Sequence, residues 1–330
     1  MKPLRIGLLG IGTVGGGTFD VLTRNAEEIS RRAGRPITIT HVADKNTALA
    51  NQVVAGRATV TDDAFGVVRN PDIDVVVELI GGYGVAKQLI LEAINNGKHV
   101  VTANKALLAL HGNEIFAAAR AKGVIVAFEA AVAGGIPIIK ALREGLVANR
   151  IEWIAGIING TTNFILSEMR SKGLAFADVL KEAQAKGYAE ADPTFDIEGV
   201  DAGHKISILA ALAFGIPLSF DKAHVEGITK IEAIDIRYAE EMGYRIKLLG
   251  IARRRGDGSD AGFELRVHPT LIPAKRLIAN VEGVMNAVLV KGDAVGATLY
   301  YGAGAGAQPT ASAVIADLVD VARLIDADVN

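Results

Sequence analysis

Short apolar runs alternate with helical segments through the first 130 residues of the chain. The runs Leu4 to Leu9, Ile37 to Ala43 and Asp74 to Ile80 have the length of strands, and Lys98 to Thr102 and Val124 to Phe128 resemble them. Near-continuous apolar strands of this kind are typical of parallel sheets that are buried on both faces. The pattern therefore predicts an α/β fold in which helices cover a parallel sheet.

The first strand runs into a glycine-rich turn that is followed by a helical segment, which we expect to reach about Ala33. A strand, a G-x-G-x-x-G turn and a helix in this order form the dinucleotide-binding fingerprint of Rossmann-type folds. Glycines allow the tight turn and let backbone N–H groups approach a pyrophosphate. The alternative is a turn that only packs. The predicted cofactor-binding residues of the turn are Gly10, Ile11, Gly12, Thr13, Val14 and Gly15.

Two charged residues follow the second strand, where the adenosine ribose of a dinucleotide is bound. Asp44 is placed to accept hydrogen bonds from ribose hydroxyls. Lys45 comes next and offers a cation to a 2′-phosphate. The choice between NAD and NADP stays open at this point.

Lys105 follows the strand that ends at Thr102, and Asn104 before it is suited to cap the next helix. Ligands bind at the carboxyl ends of the strands in such sheets, so Lys105 is a candidate for contact with cofactor and substrate. The alternative is a solvent-exposed lysine in a first helical turn.

The pattern changes after Glu129, where a small, glycine-rich stretch leads to Pro137. Later runs pair as hairpins, one of them around Gly256-Asp257-Gly258, and predict an antiparallel or mixed sheet. A second glycine run precedes a helix from about Thr310 to Asp326, and we include Gly306 among the cofactor-binding residues. We predict a nucleotide-binding domain of residues 1–133 joined by a C-terminal helix at 307–330, and an α+β catalytic and dimerisation domain of residues 134–306.

The stretch from Gly187 to Lys205 is acidic and enters the apolar helix ISILAALAFG. Lys205 lies on the first turns of this helix, and Asp201 is four residues earlier on the same face. A lysine held against a carboxylate at the start of a core helix is a candidate proton donor or acceptor. The alternative is a helix-terminal charge beside a solvated acidic loop.

Composition narrows the function classes. The net charge is −2, so no basic field for nucleic acid is present, and there is no polybasic membrane signal. The chain has no cysteine, which excludes disulfides, thiolate metal sites and a thiol nucleophile. No run reaches membrane-span length and the first residues form a strand pattern, so we expect a cytoplasmic protein.

Six motifs in chain order resemble homoserine dehydrogenase, and the resemblance covers essentially the whole chain. The glycine turn is shared by many families, but NGTTN together with the acidic stretch that ends at Lys205 is highly specific. The motifs are GIGTVG, TANK, FEAAVAGGIP, NGTTNFIL, GYAEADPTFDIEGVDAGHKISIL and YYGAGAG.

This resemblance implies the NAD- or NADP-dependent interconversion of L-aspartate 4-semialdehyde and L-homoserine, in the route to threonine and methionine. It implies that Lys205 and Lys105 are catalytic lysines, Lys105 also contacting substrate and cofactor. It further implies a homodimer joined through the second domain. Many members carry a C-terminal ACT regulatory domain, for which we expect no room after the last helix. The resemblance also implies substrate-site acids at Glu190, Asp196 and Asp201, and a sodium site made by Glu129 with backbone oxygens of Val132, Gly134 and Ile136.

Alternative functions are distinguished by specific features. Aspartate semialdehyde dehydrogenase and glyceraldehyde phosphate dehydrogenase share the architecture but need a cysteine nucleophile, which this chain lacks. An enzyme similar to dihydrodipicolinate reductase or saccharopine reductase would have different motifs in the second domain. A dinucleotide sensor would need only the first domain, so the lysines and acids of the second half count against it.

Overall fold

Two compact units make up the chain, Met1–Gly135 with Ala305–Asn330 and Ile136–Gly304. They are seen in a computed structural model that describes residues 2–256 and 262–325. Within these residues, no helix combines the length and apolar character needed to cross a membrane.

The first unit is a six-stranded parallel sheet with the order β3-β2-β1-β4-β5-β6. Its strands are β1 Leu4–Leu9, β2 Ile37–Ala43, β3 Thr59–Thr61, β4 Val75–Glu78, β5 His99–Thr102 and β6 Val126–Ala127. Its helices are α1 Thr13–Arg24, α2 Ala26–Ala33, α3 Thr47–Val54, α4 Ala64–Arg69, α5 Gly84–Asn95, α6 Lys105–Lys122 and, from the end of the chain, α13 Ala307–Leu324, with a 3₁₀ turn at Glu129–Ala131.

Both faces of this sheet are covered, as the apolar strands predicted. Val75 and Val77 of β4 belong to a core with Leu318 of α13. Val76 between them belongs to a second core with Leu89 of α5. Because successive side chains of a strand point to opposite faces, a strand without polar positions requires a cover on each side. The predicted α/β class with a Rossmann-type parallel sheet is confirmed.

The segment after the glycine turn is two helices, so the prediction of one helix to about Ala33 was wrong. Asn25 separates them with φ −106° and ψ 18°. Its N–H bonds to the carbonyl of Val21 and its carbonyl accepts the N–H of Ile29, so the same residue ends α1 and begins α2. Asparagine is a poor helix-interior residue and a good terminal one, which accounts for the break.

Several predicted bounds also change. Strand β4 ends at Glu78 instead of Ile80, because the N–H groups of Ile80 and Gly81 bond to the Glu78 carboxylate. Strand β6 is limited to Val126–Ala127. The last helix begins at Ala307 and ends at Leu324, and the predicted end at Asp326 lies outside the described residues, as do 327–330 of the predicted C-terminal segment.

The second unit contains a mixed sheet with the order β12-β11-β7-β9-β10-β8, in which only the β8–β10 pair is parallel. Its strands are β7 Ile151–Ile157, β8 His224–Val225, β9 Tyr244–Arg255, β10 Gly262–Pro273, β11 Met285–Gly292 and β12 Gly296–Ala303. Its helices are α7 Ile138–Lys140, α8 Gly160–Lys172, α9 Phe176–Ala185, α10 Thr194–Ile197, α11 Val200–Phe214 and α12 Ala233–Glu241, with a π turn at Ala141–Gly145 and 3₁₀ turns at Phe220–Lys222 and Leu277–Asn280.

The predicted hairpin of this unit is present, since β9 and β10 pair antiparallel from Tyr244 to Arg255. Asp257 and Gly258 of its predicted turn lie outside the described residues. Helix α11 packs on one face of the sheet, where Gly250 leaves room for Ile206. The opposite face keeps half-buried apolar side chains at its centre, among them Ala155, Ile251, Leu289 and Leu299.

Candidate active site

The glycine turn of the first unit has the geometry that a bound pyrophosphate needs. Gly10 has φ +92°, and a Cβ there would lie 2.8 Å from the carbonyl oxygen of Leu79. A Cβ on Gly12 would meet no atom within 4 Å, so the space above the turn is open. Helix α1 then begins at Thr13 without a side-chain cap. N–H groups at the start of an uncapped helix, beside open space, fit a phosphate group.

Asp44 lies at the carboxyl end of β2 and holds this turn. One carboxylate oxygen accepts the N–H of Ile11 at 2.7 Å. The other accepts the N–H of Asn46 at 2.8 Å, and Lys45 between them is exposed. The acid thus lies where a ribose is bound in such folds, and it also fixes the glycine turn.

Lys105 is the first residue of α6 and follows the carboxyl end of β5. Asn104 caps the helix, as predicted, because its side-chain oxygen accepts the N–H of Leu107 at 3.1 Å. The Asn104 amide group also donates to the carbonyl of Gly82 at 2.5 Å. Lys105 is half-buried. Later in the chain, Gly306 precedes α13 with φ +128°.

In the second unit, Lys205 and Asp201 form the ion pair that their spacing predicted. The Nζ atom lies 2.7 Å from a carboxylate oxygen of Asp201, and the two side chains are only 10% and 2% exposed. The same Nζ donates to the carbonyl of Ile158 at 2.7 Å. Burial makes each of these bonds stronger than a pair on the surface. It also means that removal of one partner would leave a buried charge unpaired, which would destabilise the folded protein. Asp201 therefore fixes the position of the lysine.

Asn159 joins this pair to a second acid, and the sequence reasoning missed it as a site residue. Its amide nitrogen donates to Asp201 at 2.9 Å and to Asp196 at 2.7 Å. Its amide oxygen accepts the N–H of Thr162 at 2.9 Å and caps α8. An asparagine cap before a helix is a local pattern of the chain. The contacts of Asn159 to acids 37 and 42 residues away depend on how distant segments fold together.

Asp196 is the second carboxylate of this group. It accepts the Asn159 amide, and the Thr161 hydroxyl lies 3.2 Å from its other oxygen. Burial, and after it the negative charge of Asp201, raises the pKa of the Asp196 carboxyl. The structure thus brings Lys205, Asp201 and Asp196 together, with one amide between the acids.

Glu190 is not part of this hydrogen-bonded group. Its side chain is exposed, and its backbone carbonyl accepts a bond from the Gln184 side chain at 3.1 Å. Within the described part of the second unit, the Glu190 carboxylate has no hydrogen bond to Asp196, Asp201 or Lys205.

The predicted cation-binding loop begins with a buried carboxylate. Glu129 is 1% exposed, and its N–H donates to Asp317 of α13 at 2.8 Å. Ala133 and Gly134 both have positive φ, +56° and +47°, so the loop turns sharply after Val132. A carboxylate followed by backbone carbonyls is the oxygen-rich donor set that hard cations prefer, so Glu129, Val132 and Gly134 fit such an ion. In the second unit, the Ile136 carbonyl accepts the N–H of Ile138 at 2.8 Å. No cluster of three or more His, Cys, Asp or Glu that could hold a metal occurs in the described ranges.

A dinucleotide-binding sheet and a buried lysine–carboxylate pair in one chain are typical of a nicotinamide-dependent oxidoreductase. Comparison with family models refines this class. Residues 137–319 match the homoserine dehydrogenase model, and residues 10–129 match the model of the homoserine dehydrogenase NAD binding domain.

Individual proteins give the same result. The homoserine dehydrogenase of Pseudomonas aeruginosa is 68% identical over 328 residues, which cover 99% of this chain and 74% of that protein. The structure of a homoserine dehydrogenase from Thiobacillus denitrificans superimposes with a TM-score of 0.96 at 70% identity, covering 99% of this chain and 75% of the other. A homoserine dehydrogenase described as putative, from Archaeoglobus fulgidus, gives a TM-score of 0.86 at 36% identity, covering 96% and 99%.

This chain belongs to the homoserine dehydrogenase family. It is an oxidoreductase that acts on a CH–OH group, and its first unit contains the family's NAD-binding domain. These matches favour the dehydrogenase over the reductase and sensor alternatives. The resemblance found in the motifs is confirmed.

Proposed function

We propose that Lys205 donates the proton to the oxygen of the forming alcohol when L-aspartate 4-semialdehyde is reduced to L-homoserine, and accepts it in the reverse reaction. The observation that carries this proposal is the buried lysine held between Asp201 and the carbonyl of Ile158, each at 2.7 Å. The nicotinamide supplies or accepts the hydride. The protein has to orient the substrate and move one proton. An ammonium group held in place by a carboxylate can supply that proton.

Lys105 assists proton transfer and contacts cofactor and substrate in this proposal. Its support is its place at the carboxyl end of β5, where ligands of parallel sheets bind. Asp201 orients Lys205. Asp196 and Glu190 provide negative charge for the ammonium group of the amino-acid substrate, Asp196 from within the buried group and Glu190 from the exposed loop.

The basic test is the homoserine-dependent reduction of NAD and of NADP, measured in parallel by the absorbance of the reduced nicotinamide. Turnover with either coenzyme is the expected result. A folded protein that binds coenzyme and reduces neither would contradict the proposal.

The coenzyme site is proposed to be the turn Gly10 to Gly15, with Asp44, Lys45, Lys105 and Gly306. Both oxygens of Asp44 accept backbone N–H groups, so this carboxylate holds the turn. We propose that it also accepts hydrogen bonds from the ribose hydroxyls. Lys45 is exposed beside it and is proposed to bind a 2′-phosphate.

Replacing Lys45 with alanine tests this assignment. We expect the KM for NADP to rise about tenfold and the KM for NAD to change less than about twofold, because only NADP carries the extra phosphate. Lys122→Ala, an exposed lysine at the end of α6, is the matched control and should change neither value. Equal effects on the two coenzymes would remove Lys45 from the 2′-phosphate site.

We also propose a homodimer formed through the sheet of the second unit. Its support is the half-buried apolar row Leu299, Leu289, Ala155 and Ile251, which lie opposite one another on four neighbouring strands. A row of this kind at the centre of an open sheet face is typical of an interface.

Leu299→Arg should convert the dimer to a monomer in light scattering coupled to gel filtration, because an interface centre does not accept an unpaired charge. Lys291→Glu, a change of charge at the end of the same face, is the control and should leave the mass unchanged. A monomeric wild-type protein would contradict the proposal.

The sodium site proposed from the motifs uses Glu129 with the carbonyls of Val132, Gly134 and Ile136. It is supported by the buried Glu129 carboxylate and the backbone carbonyls that follow it, which are oxygen donors of the kind that hard cations prefer. Thermal unfolding of Glu129→Gln and of the parent in sodium and in choline salts would test it, because a bound ion stabilises the folded state. The parent alone should gain stability from sodium.

Cytoplasmic location stays a prediction of the sequence.

A further inference from the structure

Glu78, the last residue of β4, is a carboxylate with no exposed surface. It ends a strand of valines and was not expected to have a role. A buried charge needs hydrogen-bond partners, and Glu78 has three. One oxygen accepts the N–H groups of Ile80 at 2.9 Å and Gly81 at 3.2 Å. The other accepts the hydroxyl of Thr102 at 2.8 Å.

Thr102 extends these contacts to the start of α6. Its hydroxyl oxygen accepts the N–H of Asn104 at 3.0 Å while the hydroxyl donates to Glu78. Asn104 in turn donates to the carbonyl of Gly82 and caps the helix that begins at Lys105. The hydrogen bonds form a closed ring that joins the turn after β4 to the turn after β5.

The position of this ring in the sheet indicates which half of the coenzyme it lies beside. The glycine turn and Asp44 belong to the half of the sheet built from β1, β2 and β3, which binds the adenine side of a dinucleotide. The ring lies at the carboxyl ends of β4 and β5, in the other mononucleotide-binding half. A Cβ on Gly81 or Gly82 would meet no atom within 4 Å, so space is open above this turn.

We propose that Glu78 is a positioning residue that holds the turns after β4 and β5 as one rigid edge for the nicotinamide half of the coenzyme, and thereby also places Lys105. This inference rests on the proposed function for the coenzyme site and for Lys105. Glu78 touches neither reacting group in this proposal. It acts through Thr102, Asn104 and the backbone of Ile80 to Gly82.

Thr102→Val and Thr102→Ser form a matched pair of tests. Valine keeps the shape but removes both hydrogen bonds of the hydroxyl, and serine keeps them. We also use Glu78→Gln, whose amide oxygen can keep the backbone bonds but whose amide nitrogen cannot accept the proton of the Thr102 hydroxyl. Two affinities are measured without substrate: that of the reduced coenzyme, by its nicotinamide fluorescence, and that of its adenine fragment, ADP or its 2′-phosphorylated form, by calorimetry.

The expected result is a loss of about tenfold in affinity for the reduced coenzyme in Thr102→Val and Glu78→Gln, as for loss of a hydrogen bond to a charged group. The adenine fragment should bind within about twofold of the parent, because its half of the sheet is untouched. Thr102→Ser should bind both like the parent.

Two outcomes would overturn the inference. Parallel loss of both affinities would show that Glu78 only stabilises the fold, and unchanged affinities in Thr102→Val would show that the ring does not position the coenzyme. If Glu78→Gln does not fold, the threonine pair decides. Absence of homoserine turnover in the parent would contradict the proposed function but would leave this binding comparison intact.

Discussion

Replacing Lys205 with alanine should lower kcat by about 10³-fold or more while the affinity for the coenzyme changes less than about twofold, because the proton donor is lost and the dinucleotide site lies in the other unit. The lysine is buried against Asp201 and the Ile158 carbonyl, and the alanine variant has no ammonium group at this position. The measurement is kcat for homoserine oxidation together with coenzyme binding by fluorescence. Collapse of coenzyme binding with surviving turnover of bound substrate would show that the assigned role is wrong.

Lys247 provides the control for this prediction. It is also buried in the same unit and donates to the Asn163 side chain at 2.9 Å and to the Val281 carbonyl. Its carboxylate neighbour is Glu282 at 3.5 Å, and it has no bond to Asp196 or Asp201. Burial lowers its pKa to about 8. Lys247→Ala should reduce stability but keep kcat within about threefold, since its partners are structural. If both alanine variants lost kcat to the same extent, loss of any buried lysine would explain the result.

The parts of the site that could be predicted from sequence are those set by neighbours in the chain. The glycine turn follows from a strand, three glycines and a helix in fixed order. The Lys205–Asp201 pair follows from the 3.6-residue period of a helix, which places residues four apart on one face. The Asn104 cap follows from a polar residue just before an apolar helix.

Contacts between distant segments could not be predicted in the same way. Glu78 and Thr102 are 24 residues apart, and nothing in either segment alone shows that β4 and β5 are neighbours with their ends aligned. The predicted end of β4 was wrong for a different, local reason: Ile80 continues the apolar run, but its N–H bonds to the side chain of Glu78 two residues earlier. A site whose acids, amide and lysine come from three segments becomes visible only when these segments are folded together.

Asn159→Asp should lower kcat/KM by about 100-fold near neutral pH, because a third carboxylate replaces the amide that two carboxylates share. Aspartate is as good an N-cap as asparagine, so α8 should keep its start. The pKa of the Asp196 carboxyl is already raised by burial and by Asp201, and a further negative charge raises it more. The acidic limb of the kcat/KM profile should therefore move to higher pH by about one unit.

Asn159→Ser separates the two roles of this residue, which caps α8 and bridges Asp196 and Asp201. Serine keeps a cap for α8 and removes the shared amide without adding a charge, so kcat/KM should fall only about tenfold and the acidic limb should stay in place. An unshifted profile in the aspartate variant would mean that the Asp196 carboxyl does not set the acidic limb in the working enzyme. A shift in the aspartate variant alone would instead show that the neutral amide limits the negative charge around Asp196, so that the Asp196 carboxylate stays available for the substrate's ammonium group.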